Sequence, residues 1–190
     1  VTSSVTVLDR ATIREVRAKV FRRQESTLAD EARGLALADF EATLTGIRQH
    51  MRALVASLPE TAFGPQQDDD AGQHAWAAGE IVAHACDAQT NIFGRFLRQA
   101  VGLDAGRCVD HPADNTTYPA LSRADALLML DWCDASLAEA FAAAPAGFDL
   151  TTSLTFEPLG EMQVGANLMI FAIHEDDHLG QLEDLAGPQS

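Results

Sequence analysis

The residues best suited to chemistry lie in the stretch FAIHEDDHLGQLEDL, from Phe171 to Leu185. His174 and His178 stand four apart. On an α-helix that spacing leaves the two side chains about 40° apart around the axis and about 6 Å apart along it. Two neutral imidazoles so placed can share one divalent metal ion. A third histidine, His84, sits in WAAGEIVAHACDAQTN, among Ile81, Val82, Ala85 and Ala88. Taken alone, a histidine on an apolar helix face reads as a satisfied core residue. Opposite a His174/His178 pair it reads as a third ligand, because a bundle can bring two such helices together around a metal. Three imidazoles with an open fourth position are the donor set of a catalytic site rather than of a closed structural one.

His174-Glu175-x-x-His178 also matches the H-E-x-x-H pattern of zinc peptidases, in which the glutamate acts as general base. The remainder of that pattern is missing. Asp184 stands ten after His174, where a third ligand is wanted, but the turn that would deliver it needs glycine at position 181. This chain has Gln181 there, and Gly180 falls one place early. If the helix continues, Asp184 points away from the histidine face, and Glu175 points about 100° off it. The zinc metallopeptidase reading is therefore the weaker one.

The elements that must position these residues can be read from apolar periodicity. Leu37, Phe40, Leu44, Ile47, Met51, Leu54 and Leu58 alternate spacings of three and four, the seam of a long amphipathic helix that Pro59 ends. Ile13, Val16 and Val20 suggest a shorter helix before it. Residues 59–73 read as an acidic loop. A second bundle helix is predicted over about 78–101, stopped by Gly102, and a third from the Ser122 cap to about Ala144, with Asp125 completing a capping box. The connection between them, GLDAGRCVDHPADNTTYPAL, is longer than antiparallel neighbours need. It either carries the chain along the bundle, leaving the two helices parallel, or forms a lid. LTTSLTFEPLGEMQ has the one β-like composition, a short hairpin or irregular loop around Pro158, Leu159 and Gly160. A last helix over about 164–186 carries the histidine pair. The expectation is an all-α four-helix bundle in one domain, 1–190, with an extra N-terminal helix in an extension of about 1–34.

Composition narrows the function classes. The chain has 190 residues, is 47% hydrophobic and 22% charged, and carries a formal charge of −15. Such a surface attracts neither nucleic-acid phosphates nor anionic lipid. The charge is uneven, since Arg10 to Arg23 holds six of the thirteen basic residues and one acid, Glu15. A basic helix of this kind packs on the acidic body or serves as a partner arm, and the first is the simpler reading. Cys86, Cys108 and Cys133 are odd in number, fit no C-x-x-C pattern and suggest reduced thiols in a cytoplasmic protein. No apolar run reaches membrane-spanning length.

Trp76, Glu80, Ile81 and His84, followed about ninety residues later by His174, His178, Gly180 and Gln181, resemble the DinB superfamily of four-helix bundle proteins, which includes YfiT-like and bacillithiol-transferase members. There a histidine after a W-x-x-x-E-[IL] opening joins an H-x-x-x-H-x-G-Q pair on the last helix. The resemblance covers roughly residues 35–186. It implies a divalent metal, nickel or zinc, held by His84, His174 and His178, with water completing the shell. It implies a thiol S-transferase or hydrolase working with a small-molecule substrate and a low-molecular-weight thiol such as bacillithiol or mycothiol, and a homodimer. The related mycothiol-dependent group has a glutamate at one helix-four ligand, whereas position 174 here is histidine.

A ligating histidine usually gives its other ring nitrogen a partner, and Glu80, Asp177 and Gln181 are the candidates. Asn91 and Asn167, each seven residues from a histidine, share the same stripes. Glu80 has a second explanation in helix N-terminal preference and Asp177 in simple solvation. His50, beside the first seam, is either a fourth ligand, a pocket residue or a partly buried bystander. Trp76 and Trp132 read as core anchors, and His74 and His111 lie in loop sequence. Two function classes result: a metal-dependent enzyme, or a non-catalytic, stress-related bundle whose metal joins two helices.

Overall fold

The computed structural model describes residues 5–64, 76–106, 118–157 and 159–187. His74, Cys108, His111 and Pro158 fall outside them, as does most of the predicted acidic loop. The chain begins with α1 (Arg10–Arg17), capped by the Asp9 carboxylate, which accepts from Thr12 N–H at 2.8 Å. A π-helical turn, Ala18–Arg23, extends α1 until Gln24 takes a left-handed backbone at φ 55°. A short α2 (Leu28–Ala32) leads to α3 (Leu37–Ser57). Asp39 closes the start of α3 by accepting from Ala36 N–H at 2.7 Å, and the helix stops before Pro59 as expected. The seam is buried from Phe40 through Leu58, each side chain contributing roughly 1.5–3 kcal/mol.

The second bundle element is a rod made of α4 (Ala78–Ala88), a π turn (Gln89–Phe93) and α5 (Gly94–Ala100). Then come α6 (Arg123–Ala143), with the Ser122 cap; β1 (Ser153–Phe156); β2 (Gly160–Gln163); and α7 (Val164–Ala186). β1 and β2 pair antiparallel, with Phe156 opposite Gly160. Val164 and Gly165 donate to the carbonyls of Thr152 and Leu150, so the hairpin satisfies the first amides of α7. Counting α4 to α5 as one rod, the described residues hold six α-helical segments, a 3-10 turn at Glu60–Phe63 and a hairpin. One hydrophobic core runs through them.

Pairings along the rod set its direction. Gly79 meets Leu121, Gln89 donates to the Cys133 carbonyl, and Arg98 pairs with Glu139, so α4–α5 and α6 run parallel. Between α3 and α6 the order reverses, Arg48 meeting Asp134, Arg52 Asp131 and Arg123 the Leu58 carbonyl. The end of α5 and the start of α6 therefore lie at opposite ends of the bundle, the parallel arrangement that the long connection allows. No described helix is long and apolar enough to cross a membrane.

One expectation needs correction. Trp132 is not a core anchor, for it is 62% exposed, like Leu128 one turn earlier at 69%. Helix α6 has apolar residues on every side, and the buried stripe is Ala126, Leu130, Cys133, Leu137 and Ala140. The N-terminal helix keeps the expected stripe, with Ile13 and Val16 buried and Val20 half-buried against the core, and continues after Arg17 as the π turn.

Two glycines in helices should respond oppositely to alanine. A Cβ on Gly79 would lie 2.2 Å from the Leu121 carbonyl oxygen, a backbone contact that cannot swing away, whereas one on Gly46 in α3 meets nothing within 4 Å. Gly79→Ala is expected to cost about 1–3 kcal/mol in urea unfolding, and Gly46→Ala to gain about 0.5–1 kcal/mol.

Candidate metal centre

His84 reaches the site from the middle of α4, and His174 and His178 from successive turns of α7. The two helices cross the interior with Phe93 stacked on Phe171 (ring centroids 5.2 Å apart) further along. The three Nε2 atoms converge. His174 Nε2 lies 3.2 Å from His84 Nε2 and 3.1 Å from His178 Nε2. Ligand atoms at ~2.0–2.1 Å from one ion would be about 2.9 Å apart at a right angle and about 3.3 Å apart at the tetrahedral angle. The observed separations fall between those limits, so the donor set fits a single small divalent cation.

The protonation states fit as well. His178 Nδ1 and Gln181 Oε1 are 2.7 Å apart, and an amide oxygen only accepts. The Nδ1 proton therefore points to Gln181, which leaves the Nε2 lone pair of the neutral ring facing its neighbours. His178 is 4% exposed, and burial, reinforced by His174, pulls its pKa down to about 4. It stays neutral at physiological pH, the form that binds metal.

An aromatic wall surrounds the cluster. Trp76 lies 4.9 Å from the His84 ring and 6.5 Å from that of His178; Tyr118 is 4.9 Å from His84, and Phe93 is 5.2 Å from His174. Trp76, expected as a core anchor, is buried and also packs directly on the site. Phe93 was not foreseen. On a regular α-helix, nine residues beyond His84 would place it about 180° away. The Gln89–Phe93 π turn takes up roughly one extra residue and brings it round.

The other expected residues divide. Gln181 contacts the cluster. Glu80 accepts from Ala77 N–H at 2.8 Å and caps α4, the helix-end role rather than a histidine partner. Asp177 pairs with Arg17 at 2.5 Å, and burial raises its carboxyl despite that arginine. Asn91 donates to Asp87, and Asn167 is fully buried in α7. His50 is exposed on α3, 3.9 Å from Glu183, and outside the cluster.

Glu175 is turned inward. It is 0% exposed and meets Arg48 Nη1 at 3.0 Å, with Arg48 itself 2% exposed. Burial alone would raise the Glu175 carboxyl, but Arg48 and His174 together hold it below its ordinary value. Its other oxygen lies 3.8 Å from His174 Nδ1, a charge contact too long for a hydrogen bond. A carboxylate so committed is no general base, and the peptidase reading loses its central residue.

A cleft of about 860 Å³ opens onto the three histidines. One wall comes from the N-terminal segment, through Arg14, Arg17 and Arg22. Arg10 and Arg14 pair with Asp176, and Arg17 with Asp177, so the basic helix docks on the acidic face of α7. Arg22 lies in the same cleft with no ion pair among the described residues. The charge run was visible in the sequence, but its place beside the histidines was not, because nothing local relates residue 22 to residue 178.

The family model of the DinB superfamily matches residues 43–182, and the chain belongs to that superfamily. No curated protein and no solved structure matches significantly.

Removing one member of the buried ion pair strands the other. Arg48→Met should cost about 3–5 kcal/mol in urea unfolding, and adding Glu175→Leu should restore most of it, since an apolar replacement of the whole pair is close to neutral. Equal losses in the single and double variants would show that the pair does not carry this energy.

Proposed function

We propose that this chain is a metal-dependent enzyme in which His84, His174 and His178 hold a divalent cation, nickel or zinc, and a low-molecular-weight thiol is transferred to an electrophile. The observation that carries the reading is the convergence of three Nε2 atoms, 3.1 and 3.2 Å between neighbours, on a cleft large enough for a small molecule. A bound divalent ion supplies Lewis acidity, which lowers the pKa of a coordinated thiol or water.

The chain's own residues would do the rest. Gln181 holds the His178 tautomer, and Trp76 and Phe93 keep water from one side of the site. Arg22, on the cleft wall and without an acidic partner among the described residues, suits a carboxylate on the thiol or its acceptor. In the reaction the thiol sulfur bonds to the electrophilic carbon, the leaving group departs with its electron pair, and the thiol proton passes to solvent. The alternative, a metal serving only to join α4 and α7, would not need the cleft.

Elemental analysis of tag-free protein is expected to give about one divalent metal per chain, absent from His84→Ala and His178→Ala. Gln181→Ala should retain the site with metal affinity weakened roughly 10–100-fold. Metal content unchanged in His84→Ala would end the three-histidine assignment. With metal in place, consumption of bacillithiol or a similar thiol together with a model electrophile should depend on the metal, and Arg22→Glu should raise KM for an anionic thiol more than it lowers kcat. A metal-loaded protein inert toward a panel of thiols and electrophiles would favour the structural role.

A further inference from the structure

Away from the histidines, Cys86 on α4 and Cys133 on α6 face each other in the core, 2% and 1% exposed. Both line the same pocket. Cys133 Sγ also lies 3.8 Å from the Cys86 carbonyl oxygen and 3.7 Å from Thr90 Oγ1. Arg48 Nη2 is 3.8 Å from Cys86 Sγ, placing a fixed positive charge beside the pair. A pocket of about 330 Å³, walled by Tyr118, Met129 and Trp132, reaches both cysteines from the surface. The metal site uses neither sulfur.

We propose that Cys86 and Cys133 are a redox-active dithiol that hydrogen peroxide converts to a disulfide joining α4 to α6. Two cysteines that adjoin across neighbouring helices, Cys133 Sγ against the Cys86 carbonyl, supply an attacking and a resolving sulfur. The low exposure admits an oxidant about the size of water and excludes bulky disulfides. Cys133 is the attacking sulfur. Neighbouring Cys86 and then the Arg48 charge hold its thiol below the ordinary value, against the effect of burial, and Thr90 Oγ1 lies 3.7 Å from the sulfur.

The chemistry balances. Cys133 thiolate attacks one peroxide oxygen, the O–O bond breaks, and the departing hydroxide takes up a proton as water, leaving a sulfenic acid. Cys86 sulfur then attacks Cys133 sulfur, the S–O bond breaks, and that oxygen leaves as a second water with the Cys86 proton. The two sulfurs together lose two electrons, and the peroxide gains them.

The test uses folded Cys108→Ser protein, which leaves the pair untouched and removes the third thiol. After one equivalent of hydrogen peroxide, the intact mass should fall by two hydrogens, and a peptide map should show Cys86 linked to Cys133. Dithiothreitol should return both thiols to alkylation. In Cys86→Ser/Cys108→Ser protein, Cys133 should be trapped as sulfenic acid when the peroxide-treated protein is unfolded in the presence of dimedone. The proposal is overturned if both thiols remain free, if oxygen adds to one sulfur without a link forming, or if the link forms only in urea.

Discussion

Arg48 is the charge around which the bundle is arranged. From α3 it reaches Asp134 on α6 at 2.7 Å, Glu175 on α7 at 3.0 Å and Cys86 on α4 at 3.8 Å, so one side chain touches every other long helix. A guanidinium cannot shed its proton on burial, so helices that enclose it must also supply anions. That requirement fixes the rotation of α7. With Glu175 facing Arg48, His174 and His178 fall on the flank that meets α4. The ion pair is weak evidence for stability, because desolvation offsets much of the attraction. Its effect is on register: a turn or slip of α7 would leave two buried charges apart.

The sequence carried much of this and failed at identifiable places. The α3 seam, the Pro59 stop, the Ser122 cap and the extent of α7 follow from local rules of periodicity and capping, and each holds. The histidine cluster also followed from spacing once two facing helices were assumed. Glu175 was harder. Its position in an H-E-x-x-H string advertises chemistry, and only the distant Arg48 shows that it is structural. Glu80 shows the reverse difficulty, since a cap and a histidine partner are indistinguishable one turn before a ligand. Trp132 was misplaced because α6 has no clean polar face. Phe93 was invisible because the π turn shifts the helical phase, and no single residue between Gln89 and Phe93 announces such a turn.

Electrostatics around the cleft follow from the same uneven charge. The body is strongly acidic, yet the rim of the site is not, because α1 brings its arginines to Asp176, Asp177 and Glu183. The neutralised acids sit between and beyond the histidines on α7. Without α1 they would stand uncompensated beside the site, repelling any anionic ligand and drawing cations indiscriminately.

The position of α1 in the chain has a further consequence. The histidines lie within residues 43–182, the span shared with the superfamily, whereas Arg14, Arg17 and Arg22 lie outside it. The reactive centre and the wall that selects what approaches it are thus encoded separately. A lineage could exchange the wall by altering exposed positions near the start of the chain, provided Ile13 and Val16 stay in the core and Asp176 keeps a cation. Divergence of specificity then leaves the histidines untouched, and its constraint is the face of α1 that packs on the bundle.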